Sequence, residues 1–205
     1  LPPVIKRFTE RYQRVKLILR QGSPMQISAL VTSGEADIAI ATEAFEQFPE
    51  LILLPCYQWN RCVVVPSKHP LLKLKELTLE AINQYPIITY DFAFTGRSKI
   101  NQAFESRGLE PNVVLTAIDS DVIKTYVELG LGIGILANMA FDAKRDKNLR
   151  SIDASHLFEP STTRIGISRN TYLRGYIFDF IEMFAPHLNH ANFLAKMANR
   201  EADAV

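Results

Sequence analysis

Short apolar runs alternate with helical patterns along the whole chain. Val4, Ile5, Phe8 and Tyr12 recur at helical spacing, so residues 2–12 are predicted to form a helix. Residues 15–19 are β-branched and alternating, the pattern of a strand. Ser23-Pro24-Met25-Gln26 has the order of a helix start: Ser at the N-cap, Pro in the first helical position and Gln where a capping box needs it. Gly34 follows as the stop. Residues 37–41 are nearly all apolar, as expected of a short strand covered on both faces, and 51–55 is another extended run. Further strands are predicted at 61–65, 86–90, 113–116, 132–137 and 162–168. Helices are predicted between them: 77–83 opened by Thr78, one opened by Thr95-Gly96-Arg97-Ser98 and ended by Gly108, one capped by Ser120 and ended by Gly130, and 172–184.

Strands interleaved with helices of this length indicate an α/β protein with mostly parallel sheets. The elements are too many for one small doubly wound sheet. Two extended passages, near Leu54–Tyr57 and Phe158–Thr163, read as crossings between lobes. That predicts two Rossmann-like lobes, 1–54 with 163–188 and 57–158, followed by a tail over 189–205, with a ligand cleft between the lobes.

Composition narrows the function. Hydrophobic residues are 47% and charged residues 22%, enough apolar surface for a real core. Lys plus Arg is 23 and Asp plus Glu is 22, a net charge of +1, which argues against a nucleic-acid-coating surface. No apolar stretch approaches the roughly 20 residues that span a bilayer. Cys56 and Cys62 lie in apolar surroundings and read as reduced core thiols. The four histidines are scattered without carboxylates or thiols at ligand spacing, so no metal site and no cofactor are expected.

Enzyme signatures are missing too: there is no G-x-S-x-G elbow, P-loop or H-E-x-x-H. Gly130-Leu131-Gly132-Ile133-Gly134 precedes a strand, whereas a dinucleotide fingerprint joins a strand to the following helix. It reads as a helix stop followed by a small-residue strand packed close to a neighbour. Hydroxyl residues do recur at strand-to-helix turns: Ser23, Thr42, Thr95 beside Gly96, and Ser120. Ligands of open α/β sheets bind at the carboxyl ends of strands, where free N–H groups and the helix dipole favour anions. Each residue alone is an ordinary N-cap. Thr42 and Thr95 together, each on the rim of a different lobe, make a shared anion cleft a candidate. Trp59, the single tryptophan, stands beside the first crossing.

Gly34-Glu35-Ala36-Asp37-Ile38-Ala39-Ile40, the Pro66-x-x-His69-Pro70-Leu71 turn, Tyr85-Pro86-Ile87-Ile88 and Val127-x-x-Gly130-x-Gly132-x-Gly134-Ile135 resemble the effector-binding domain of LysR-type transcriptional regulators. Residues 41–44, 54–61, 94–98, 119–126 and 184–188 resemble its CysB-like branch, which governs sulfur assimilation and cysteine biosynthesis. The resemblance implies a periplasmic-binding-protein-like fold and no enzymatic activity. It also implies an acetylserine inducer and sulfate or thiosulfate as signalling anions, with Thr42 and Thr95 as ligand residues and Trp59 close to the cleft. It implies a cytoplasmic homo-oligomer, dimeric in this domain and tetrameric when full length. Promoter DNA would be bound only by an N-terminal helix-turn-helix domain outside this chain. A solute-binding protein for a small anion is the alternative reading, and a two-lobe transferase of the porphobilinogen-deaminase type finds no clustered arginines here.

Overall fold

The structure is a computed structural model that describes residues 1–42, 47–91, 97–169 and 172–189. In chain order the elements are α1 (Pro2–Arg11), α2 (Pro24–Thr32), β1 (Ala39–Ala41), β2 (Leu51–Trp59), β3 (Arg61–Pro66), α3 (Leu79–Ile82) and β4 (Ile87–Tyr90). They continue with α4 (Arg97–Glu105), β5 (Val113–Ala117), α5 (Ser120–Glu128), β6 (Ile133–Ala137), β7 (Leu149–Asp153), β8 (Ser161–Ser168) and α6 (Gly175–Phe184). Two compact units result. Of the described residues, the first holds Leu1–Ala41, 47–57, 162–169 and 172–189; the second holds Thr42, 58–91 and 97–161.

In the first unit a three-stranded sheet runs β1-β8-β2, with β1 and β8 antiparallel and Ala39 opposite Gly166. Ile52, Leu54, Ile165 and Ile167 of the sheet bury against Ile177 and Ile181 of α6. On another side of α6, Phe180 meets Phe8 of α1 edge to face at 5.3 Å. The second unit is a five-stranded sheet in the order β5-β4-β6-β3-β7. Its strands alternate side chains between two cores. Val63, Val65, Ile87 and Ile135 pack with Ile100 and Phe104 of α4. Val64, Ile88 and Leu136 pack with Ile123 and Val127 of α5. Covering both faces is why β3, β4 and β6 are buried along nearly their whole length.

The α/β architecture expected from the sequence is present, with a correction to strand direction. Pairs β4–β5 and β4–β6 are parallel, but β3 pairs antiparallel with both β6 and β7, so this sheet is mixed rather than mostly parallel. The reason is local. Strand β3 enters one residue after β2, a strand of the three-stranded sheet, so no crossover helix from within its own sheet sets its direction, and both of its neighbours, β6 and β7, run opposite to it. Residues 15–19 are not a strand either. Val15 and Leu17 pack half-buried beside Phe8 as the alternation requires, while Ile18 and Leu19 are 63% and 62% exposed, and no ladder partner lies beside them among the described residues.

The glycine-rich segment behaves as a structural device. Gly130 ends α5 at φ 80°, a left-handed turn that suits glycine. A Cβ on Gly132 would stand 2.4 Å from the Pro86 carbonyl oxygen.

Candidate functional site

Parallel pairing puts the carboxyl ends of β4, β5 and β6 on one edge of the second unit, at Tyr90, Ala117 and Ala137. Strand β3 begins on the same edge, because Arg61 stands opposite Ala137. Helices α4 and α5 both start after strands that end there. This is the edge at which open α/β sheets bind ligands.

Several polar groups converge on it. Arg97 opens α4 and donates from Nη1 to the Tyr90 carbonyl at 3.3 Å and from Nε to Asn101 Oδ1 at 3.0 Å. Burial pulls its guanidinium below the usual arginine range, and the nearby Asp91 carboxylate opposes that shift. The Asp91 amide donates to Ala117 O at 3.1 Å, and the Thr116 hydroxyl donates to Asp91 Oδ2 at 3.4 Å. Burial pushes the Tyr90 phenol up to about 12, against hydrogen bonding to the Ala137 backbone and the Ser120 side chain that favours the phenolate. Tyr90 therefore stays neutral at physiological pH.

Trp59, the last residue of β2, is buried at this edge. The Arg61 guanidinium lies over its ring, 5.2 Å from the centroid. Arg61 is itself 2% exposed and donates from Nη1 to Glu159 O at 2.8 Å and from Nη2 to Ser161 Oγ at 2.7 Å.

Of the residues singled out in the sequence, Trp59 and Ser120 meet this edge. Ser120 is the first helical residue of α5 and not its cap: the cap is Asp119, whose carboxylate accepts from the Asp121 amide at 2.6 Å. A carboxylate in that place gains from the helix dipole as well as from the hydrogen bond. Thr42 is buried directly after β1. Thr95 and Gly96 lie outside the described residues. Ser23 caps α2 with both bonds of a capping box, its Oγ accepting from the Gln26 amide at 3.3 Å and Gln26 Oε1 accepting from its own amide at 2.8 Å. Ser23→Ala is accordingly expected to lower stability by about 1 kcal/mol and Ser23→Gly by only a few tenths; equal midpoints in urea melts of the two variants would count against the cap.

Arg61 and Tyr90 were not singled out by sequence. The available signal was Arg61 itself, a charge opening the otherwise apolar Cys62-Val63-Val64-Val65 run. Cys56 and Cys62 are both buried thiols, as expected. Among the described residues no group of three or more His, Cys, Asp or Glu is placed to hold a metal ion.

A family model for the LysR substrate binding domain matches residues 1–189. The chain belongs to the LysR family. The regulator SsuR of Burkholderia cenocepacia is 57% identical to this LysR domain over 191 residues, which cover 93% of the chain and 62% of that protein. CysB of the same organism is 52% identical over 189 residues, covering 92% and 60%. The cofactor-binding domain of the Cbl transcriptional regulator superposes with a TM-score of 0.91 at 42% identity, covering 96% of this chain and 86% of that one. This LysR domain thus spans about three fifths of the length of the curated relatives it matches. Those relatives are named as transcriptional regulators and not as enzymes. No helix among the described residues is long and apolar enough to cross a membrane.

Proposed function

We propose that this LysR domain senses a small anion of sulfur metabolism, acetylserine or a sulfate- or thiosulfate-like ion. It would pass the bound state to DNA-binding heads of the full-length regulator, a cytoplasmic homo-oligomer that is dimeric in this domain and tetrameric when whole. Only those heads touch promoter DNA. The observation that carries the reading is the 57%, 52% and 46% identity to SsuR, CysB and Cbl regulators over nearly the whole chain. A solute-binding protein for a small anion has no comparable support among these relatives. The effector acts by binding one arrangement of the domain better than another, and shifts the equilibrium by no more than that difference.

The residues we assign to the effector are Thr42, Thr95 and Trp59, with Ser23 at the start of α2, Gly96, and Ser120 at the start of α5. Thr42 is buried behind β1 and its hydroxyl suits an oxyanion. Replacement of Thr by Val keeps the shape and removes the donor. Thr42→Val and Thr95→Val should each weaken acetylserine, sulfate or thiosulfate binding by roughly tenfold to a hundredfold in calorimetric titration. The ligand-free melting temperature should barely move. Full affinity in both variants, together with stability lowered by about 1 kcal/mol each, would mark the two threonines as helix caps and nothing more.

A further inference from the structure

Arg61 occupies an unusual place. It begins an interior strand of a five-stranded sheet, flanked by β6 and β7, with the next four side chains all buried. A cation that deep needs fixed partners. Three of them come from two separate passages of chain. The indole face of Trp59 comes from the end of β2, and the Glu159 carbonyl and Ser161 hydroxyl come from the stretch entering β8. Trp59 and Arg61 are two residues apart, on either side of Asn60, so both point to one side of the extended backbone. The guanidinium is planar and rigid. Its Nη1 and Nη2 donate to the 159–161 passage while its Cζ stands over the indole, 5.2 Å from the ring centroid. A lysine ammonium can supply the charge but cannot hold both directions at once.

We infer that Arg61 is a positioning residue for effector binding: it locks the Trp59 indole in orientation at the carboxyl edge of the sheet and ties that orientation to the 159–161 passage. The inference rests on the proposed role of Trp59 at the effector, but its mechanical half does not need that role. Trp59 is the only tryptophan in the chain, so its emission reports this one place.

The experiment uses three proteins: the wild type, Arg61→Lys and Ser161→Ala. Ser161→Ala removes a single anchor from a fully buried site with little change in volume, and it decides the matter if Arg61→Lys does not fold. In the ligand-free wild type, time-resolved anisotropy of Trp59 should lack a fast local component. Both variants should acquire one. Their affinity for sulfate, thiosulfate or acetylserine should fall by about threefold to tenfold, the scale of one cation–π contact, while thermal melts remain cooperative. An indole equally rigid in all folded variants overturns the lock. A mobilised indole with unchanged affinity overturns the link to binding. If the wild type binds none of the three anions, the effector reading fails while the anisotropy still decides whether Arg61 holds Trp59.

Discussion

Lys124→Met is expected to lower the stability of this LysR domain by about 3 kcal/mol, the cost of breaking a buried ion pair from one side. Lys124 lies on α5 with its side chain 9% exposed. Its ammonium donates to Asp146 Oδ2 at 3.1 Å and to the Ala140 carbonyl at 2.9 Å, and it pairs with Asp121 Oδ1 at 2.9 Å. Methionine fills the volume but strips the ammonium from Asp146, which is 12% exposed and then relies on the Asp142 amide as a donor. For a domain of this size the melting temperature should fall by roughly 6–12 °C.

The pH dependence separates lost charge from lost packing. Burial pulls the Lys124 ammonium down, but hydrogen bonds and charge from Asp121 and Asp146 outweigh it and hold Lys124 above the usual lysine range. Its contribution is complete below the ordinary lysine pKa and is lost as pH rises through the raised one. The Lys124 hydrogen bond and charge hold Asp121 below the usual aspartate range. Its contribution is present above the ordinary aspartate pKa and disappears as pH falls through the lowered one. Lys124→Met should flatten both limbs of a stability–pH profile. An unchanged urea midpoint at neutral pH, or unchanged limbs, would show that the network contributes nothing. The consequence reaches the site, because α5 carries Ser120 beside Tyr90 at the strand ends.

Local signals in the sequence were the most dependable. Ser23-Pro24-x-Gln26 forms its capping box because every partner lies within one turn, and Gly34 and Gly130 end helices at positive φ for the same short-range reason. Long-range pairing was less legible. The alternation at residues 15–19 is real and half-buries Val15 and Leu17, but a strand requires a ladder partner that no local pattern supplies. Strand β7 was missed because Arg150, Ser151 and Asp153 break any apolar run on this edge strand. At the candidate site, Trp59 stood out by its rarity and Ser120 by its place at a helix start. Arg61 and Tyr90 did not, because what distinguishes them is burial beside particular partners from far along the chain.

The last expected result concerns close approach inside the second unit. Gly132 immediately precedes β6, next to the neighbouring strand β4. An added Cβ would sit 2.4 Å from the Pro86 carbonyl oxygen and 3.0 Å from its carbon, both backbone atoms that no rotamer change can move. That same oxygen accepts from the Ile133 amide at 2.8 Å, the bond that begins the β4–β6 pairing at Ile87 and Ile133. Gly132→Ala must therefore push these central strands apart or break this bond, and should cost about 3 kcal/mol, the upper end of the range for overpacking. Gly134 is the matched control. A Cβ there meets only side-chain methyls, Val127 Cγ2 at 3.1 Å and Ile123 Cγ2 at 3.3 Å, which can shift by a few tenths of an ångström. Gly134→Ala should cost about 1 kcal/mol, at the low end of the same range. Urea melts of the two variants test the comparison directly. Equal losses would mean that the Pro86 backbone yields as easily as a methyl group, and that the β4–β6 spacing is not what requires glycine at position 132.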